Sequence, residues 1–113
     1  MAHTASSPLV RMAELEIDPA QLEAYTALLK TEIEASIAME PGVLMLHAVS
    51  LKDQPCHLRI MEVYADQNAY EAHLRSPHFM TYKSATSSMV KALRLIETEP
   101  VALRARGNIP LVT

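Results

Sequence analysis

Two histidines, His73 and His78, fall close together in the run Asp66-Gln-Asn-Ala-Tyr70-Glu-Ala-His73-Leu-Arg-Ser76-Pro77-His78-Phe79, and their neighbours place each at a helix end. Asp66 can cap one helix and Ser76 a second, with Pro77 at the first helical position, where its missing N–H costs nothing. His73 then lies in a last turn, whose field favours imidazolium. His78 lies in a first turn, whose field favours a neutral ring ready to accept a proton. Acid and base so placed could move a proton on a substrate. Histidine, serine and proline also serve simply as caps and stops, and local signals leave that role open.

Other chemistries find less support. None of the five histidines forms an i,i+2 pair on a strand or an i,i+4 pair on a helix, so no metal is expected. The only glycines are Gly42 and Gly107, which leaves no phosphate-cradling loop and no nucleotide or flavin motif. Arg11, Glu14, Arg59 and Glu62 sit inside apolar strands and need partners. Arg11 with Glu62, or Glu14 with Arg59, could pair across strands, and a ligand-binding role is the alternative. Cys56 is the single cysteine, which excludes an internal disulfide and fits a reducing cytosol.

The elements that must position these residues can be read from periodicity. Leu9 to Ile17 reads as a strand, with Leu9, Arg11, Ala13, Leu15 and Ile17 on one face. Asp18-Pro19-Ala20-Gln21 starts a helix, with Asp18 as N-cap and Gln21 reaching back as in a capping box. Its core stripe is Leu22, Tyr25, Leu29, Ile33 and Ile37, and it ends before Pro41-Gly42. Val43 to Leu51 and Cys56 to Tyr64 form a hairpin around Lys52-Asp53-Gln54-Pro55. Two short helices follow, Asp66 to Arg75 and Pro77 to Met89, then a strand from Lys91 to Glu97. The order predicts an α+β fold, a ferredoxin-like βαββαβ sandwich.

The chain has 113 residues and a net charge of −3, enough for one domain and one core. Residues 1–8 read as a flexible arm without signal-peptide or anchor character, 9–106 as the domain, and 107–113 as a tail. With no Lys/Arg cluster beyond Arg104 and Arg106, nucleic acid is not an expected partner, and no stretch approaches a membrane span. With no Trp, one Phe and seven Met, the core must be largely aliphatic. The hairpin places Leu44, Leu46, Ala48, Leu58 and Ile60 on one side and Val43, Met45, Val49, Met61 and Val63 on the other, so neither is plainly the solvent side. A second copy should cover one of them, with Pro100 to Arg106 available to clasp it.

The run Arg59-Ile-Met-Glu62-Val-Tyr64-Ala-Asp66, with Tyr70-Glu-Ala-His73-Leu-Arg-Ser76-Pro77-His78-Phe79, resembles the antibiotic biosynthesis monooxygenase (ABM) family of small dimeric α/β barrels, quinol monooxygenases among them. The likeness covers Leu9 to Glu97, including the Glu40-Pro41-Gly42 turn. It implies a homodimer with facing sheets, each protomer enclosing a small apolar pocket, and oxygenases that need no metal, flavin or haem. Tyr64 stands where many members have Trp. Tyr82-Lys83 stands where the haem-degrading branch has a ligating His, so haem is not implied. The resulting expectation is a cytoplasmic, cofactor-free monooxygenase that uses O2 on a small phenol or quinol. His78 would be the base and His73 its partner. Tyr64, Tyr70, Phe79 and Tyr82 would shape the pocket, and Arg59 or Glu62 would orient a substrate oxygen. A keto-sugar isomerase of the family carries a similar His segment, so an isomerase, or a non-catalytic dimer that binds a small ligand, remains the alternative.

Overall fold

A computed structural model describes residues 8–107. Apart from Pro8 and Gly107, the expected N-terminal arm and C-terminal tail lie outside the described residues. The elements are β1 (Leu9–Ile17), a 3-10 turn (Pro19–Gln21), α1 (Leu22–Met39), β2 (Val43–Leu51), β3 (Gln54–Tyr64), α2 (Gln67–Leu74), α3 (Pro77–Thr86) and β4 (Val90–Glu97). All sheet pairs are antiparallel and the strand order is β2-β3-β1-β4, the ferredoxin-like arrangement. The third helix stops at Thr86, three residues earlier than expected, because Met89 N–H turns back to the Thr86 carbonyl at 2.8 Å. No helix among the described residues is long and apolar enough to cross a membrane.

Register decides which sheet face is the core. Ala13, Leu15 and Ile17 of β1 are buried with Leu58 and Ile60 of β3 against Tyr25 and Leu29 of α1. A second cluster joins Val43, Leu46 and Tyr64, with Ile33 and Tyr70 packed beside it. A register shift between Val43 and Met45 turns Val43 inward and leaves Leu44 54% exposed, the reverse of simple alternation. The opposite face is mixed. Met12, Met61 and Val49 surround Glu14, which pairs with Arg59 at 3.3 Å and Arg94 at 3.7 Å.

Two expectations for the first helix are corrected. Asp18 does accept from Ala20 N–H at 3.0 Å, but its own N–H goes to the Met89 carbonyl at 2.9 Å, so Gln21 closes no capping box. The buried stripe runs Tyr25, Leu29, Glu32, Ser36, while Ile37 is 44% exposed. The stripe swings onto polar residues because α2 offers that face an imidazole and not an apolar side chain.

One glycine permits the approach of α2. A methyl on Gly42 would lie 2.6 Å from the Ala69 Cβ, well inside contact distance. Only hydrogen at this position lets the turn after α1 touch the first turns of α2, and the Gly42 carbonyl also accepts from Ala65 N–H at 2.8 Å. Gly42→Ala should therefore lower stability by about 1–3 kcal/mol through overpacking. Adding Ala69→Gly should restore most of the loss, and thermal melts of the single and double variants check this. Additive losses would mean that the two residues do not meet.

Candidate functional site

The helix junction forms as the caps require. Asp66 Oδ1 accepts from Ala69 N–H at 2.8 Å, and Ser76 Oγ accepts from Phe79 N–H at 3.3 Å while donating to the His73 carbonyl at 2.7 Å. Pro77 opens α3. The chain turns sharply between the helices, leaving the His73 and His78 rings 6.3 Å apart.

Both rings meet one carboxylate. Glu40 Oε2 lies 2.9 Å from His73 Nδ1 and 2.5 Å from His78 Nε2. Burial works against the Glu40 charge, but hydrogen bonds from His73 and then His78, with their charge when protonated, outweigh it and hold its pKa below the ordinary carboxylate value. An ionised carboxylate only accepts, so both nitrogens facing it carry hydrogen. A neutral His73 is therefore the Nδ1–H tautomer with a lone pair on Nε2. That nitrogen is 3.7 Å from Glu32 Oε1, too far for a hydrogen bond, and Oε1 already accepts from Ser36 Oγ at 2.5 Å. The ring is 3% exposed, with Phe79 at 4.8 Å and Tyr64 at 5.4 Å between centroids.

Two hollows flank this wall. An inner cavity of about 380 Å3 between helices and sheet is lined by His73, Glu62, Tyr64, Tyr70, Phe79 and Tyr82, among others. An outer groove of about 720 Å3 between α1 and the α2–α3 junction is lined by Glu40, His78, Met39, Ala72, Pro77 and Thr81, among others. Glu32 and Tyr82 face both. The expected residues thus divide. His73, Glu62 and the four aromatic residues share the cavity. His78 opens on the groove. Arg59 stands on the other sheet face with Glu14, because its strand neighbour Leu58 takes the helix side.

The cavity floor is acidic and phenolic. Tyr64 Oη donates to Glu62 Oε1 at 2.8 Å. Burial raises the Glu62 pKa, opposed by that bond, by His73 when it is protonated and by the Arg11 charge. Tyr64 is pushed well above the usual phenol value by burial and then by the Glu62 charge. Tyr82 is pushed up similarly, by burial and by Tyr25, whose hydroxyl is 2.5 Å away. Arg11 does not bond its strand partner Glu62. It donates to Tyr70 Oη at 2.8 Å, lies 4.4 Å over that ring and meets Glu97 at 3.5 Å.

Sequence reasoning missed Glu32 and Glu40. Glu32 and Ser36 extend the Tyr25–Leu29 stripe at helical spacing, and a carboxylate on a buried stripe was the available signal. Glu40 had none beyond its place before Pro41-Gly42. Metal spacing within one helix was also too narrow a test, because Glu32, His73 and His78 come from three helices and each brings a donor atom within 4.8 Å of the others. The set could hold a divalent ion. As built, Glu40 Oε2 joins the two rings by hydrogen bonds.

The antibiotic biosynthesis monooxygenase family model matches residues 8–85. A Bacteroides thetaiotaomicron protein, provisionally named an antibiotic biosynthesis monooxygenase, is 46% identical with a TM-score of 0.87, over 88% of this chain and 97% of its own. A Lactobacillus acidophilus protein, provisionally named a monooxygenase, is 30% identical with a TM-score of 0.77, over 83% of this chain and 44% of its own. A Pseudomonas aeruginosa protein shares the fold at 21% identity, with a TM-score of 0.80 over 89% of this chain and 100% of its own. No protein of curated function matches. With the family model spanning most of the fold and near-complete overlap at 46% identity, the chain belongs to the antibiotic biosynthesis monooxygenase family.

Proposed function

We propose that the protein is a cytosolic, cofactor-free monooxygenase that oxidises a small phenol or quinol with O2. The observation that carries this reading is His73, bonded at Nδ1 to Glu40, lining a cavity walled by Tyr64, Tyr70 and Phe79. A flat aromatic substrate of one ring fits about 380 Å3. His73 takes the substrate hydroxyl proton, breaking O–H and forming Nε2–H, and the anion that remains is electron-rich enough to pass an electron to O2. Recombination at a ring carbon forms C–O. Cleavage of O–O leaves one oxygen on the ring, and the other departs as water with the two hydroxyl hydrogens of the quinol. Quinol plus O2 gives hydroxyquinone plus water, so no external reductant is required. Glu62, in the cavity and shifted towards its neutral acid, orients a substrate oxygen.

The base assignment moves from His78 to His73, because His78 opens on the outer groove. A second reading uses the same cavity. Glu32 Oε1, 3.7 Å from Nε2, supplies a second site for a proton taken beside a carbonyl and returned elsewhere, which would make the protein an isomerase.

Oxygen electrode measurements on a quinol panel test the first reading, and solvent deuterium entering a keto substrate tests the second. His73→Ala should cut turnover by about a hundredfold or more, and His78→Ala should cost less. If His78→Ala proves the more damaging, the base has been misassigned. Neither oxygen uptake nor exchange with any compound would leave a non-catalytic binder.

We also propose a homodimer. Met12, Met61 and Val49 lie on the uncovered sheet face around the Glu14–Arg59 pair, and Val101 and Leu103 extend from an unpaired tail. A second sheet laid on that face would bury them. Sedimentation at micromolar concentration should give twice the 12.5 kDa chain mass. A stable particle of one chain would rule this out.

A further inference from the structure

Glu40 is a half-buried charged residue that the chemistry above leaves without a task. It belongs to the turn after α1, yet one of its oxygens receives imidazoles from α2 and from α3. Ordinary structural ion pairs join two groups. Here two rings from separate elements converge on a single oxygen atom, and only one of the rings reaches the cavity.

We propose that Glu40 is a positioning residue for His73, which it holds in the Nδ1–H tautomer with Nε2 towards the substrate, and that His78 braces Glu40 from the outer groove. This rests on His73 as base. An imidazole free to choose its tautomer would often carry its proton on Nε2, the nitrogen that must be empty. A carboxylate on Nδ1 removes that choice, fixes the ring plane and stabilises the imidazolium that forms when the substrate proton arrives. A carboxylate held by one partner could still swing about its side-chain torsions. The second bond, from His78 Nε2, pins the same oxygen from the opposite helix. Glu40 makes the side-chain hydrogen bond to the His73 ring, and the other polar groups around it stand farther off. Glu32 Oε1 accepts from Ser36 and lies 3.7 Å from Nε2, Glu62 accepts from Tyr64, and Tyr82 bonds Tyr25.

The arrangement explains why the cap chemistry of the junction matters. Ser76 Oγ both caps α3 and returns to the His73 carbonyl, so one hydroxyl sets the separation of the two histidines that Glu40 must span.

The test uses Glu40→Gln, Glu40→Asp and His78→Ala in the full chain, read by nitrogen-15 chemical shifts of the His73 ring and by oxygen uptake. The wild type should show a protonated Nδ1 and an unprotonated Nε2 at neutral pH. Glu40→Gln should shift the ring towards the other tautomer and lower kcat by about a hundredfold or more with KM little changed. His78→Ala should broaden the mixture with a smaller kcat loss, and Glu40→Asp should recover part of the tautomer preference. Should Glu40→Gln fold poorly, the wild-type spectrum and the His78→Ala variant still decide. A wild-type ring protonated on Nε2, or a Glu40→Gln enzyme with unchanged tautomer and unchanged kcat, would overturn the proposal. If no quinol is oxidised by the wild type, the oxygenase reading fails while the tautomer measurement still judges Glu40.

Discussion

Burying an imidazole at the meeting of three helices requires that each of its nitrogens be accounted for, and much of the local architecture follows from that demand. His73 is satisfied on one side by Glu40, which in turn must reach it from a turn 33 residues earlier in sequence. The reach is possible because Gly42 lets that turn touch Ala69 at the start of α2. Ser76 completes the geometry by tying the end of α2 to the start of α3. Each device is local, a missing methyl, a cap or a proline, and together they place three polar side chains with little freedom to move.

The sheet supplies a different kind of constraint. Antiparallel register puts Glu62 and Tyr64 two residues apart on the same face of β3, beneath the helices, and puts Arg59 on the other. Parity along a single strand thus separates the acid available to the cavity from the guanidinium that pairs with Glu14. The Tyr64 hydroxyl then finds its acceptor in Glu62 without leaving its own strand.

The fold was largely legible because its signals are local and strong. Asp18, Asp66 and Ser76 cap where cap chemistry says they should, Pro77 opens a helix, and apolar runs set off by turn and cap residues mark the strands. The errors came where a residue's role depends on what packs against it. Ile37 fits a helical stripe, yet the neighbouring helix brings His73 and draws Glu32 and Ser36 inward. Val43 and Leu44 exchanged faces at a bulge that no composition rule signals. The candidate site was legible in its aromatic residues, its histidines and Glu62. Glu40 meets them through a turn distant in sequence, and which histidine lines the cavity depends on the angle between α2 and α3.

The phenols of the cavity have a consequence for selectivity between protein and guest. Burial, a neighbouring carboxylate and the Tyr25 contact all make Tyr64 and Tyr82 harder to ionise than a free phenol. A phenolate surrenders an electron far more readily than the phenol from which it came. In the proposed chemistry, the guest's hydroxyl gives its proton to His73 while the wall phenols keep theirs, so the walls stay reduced while their contents burn. The chamber would protect itself through where a proton is allowed to leave, without a shield of any other kind.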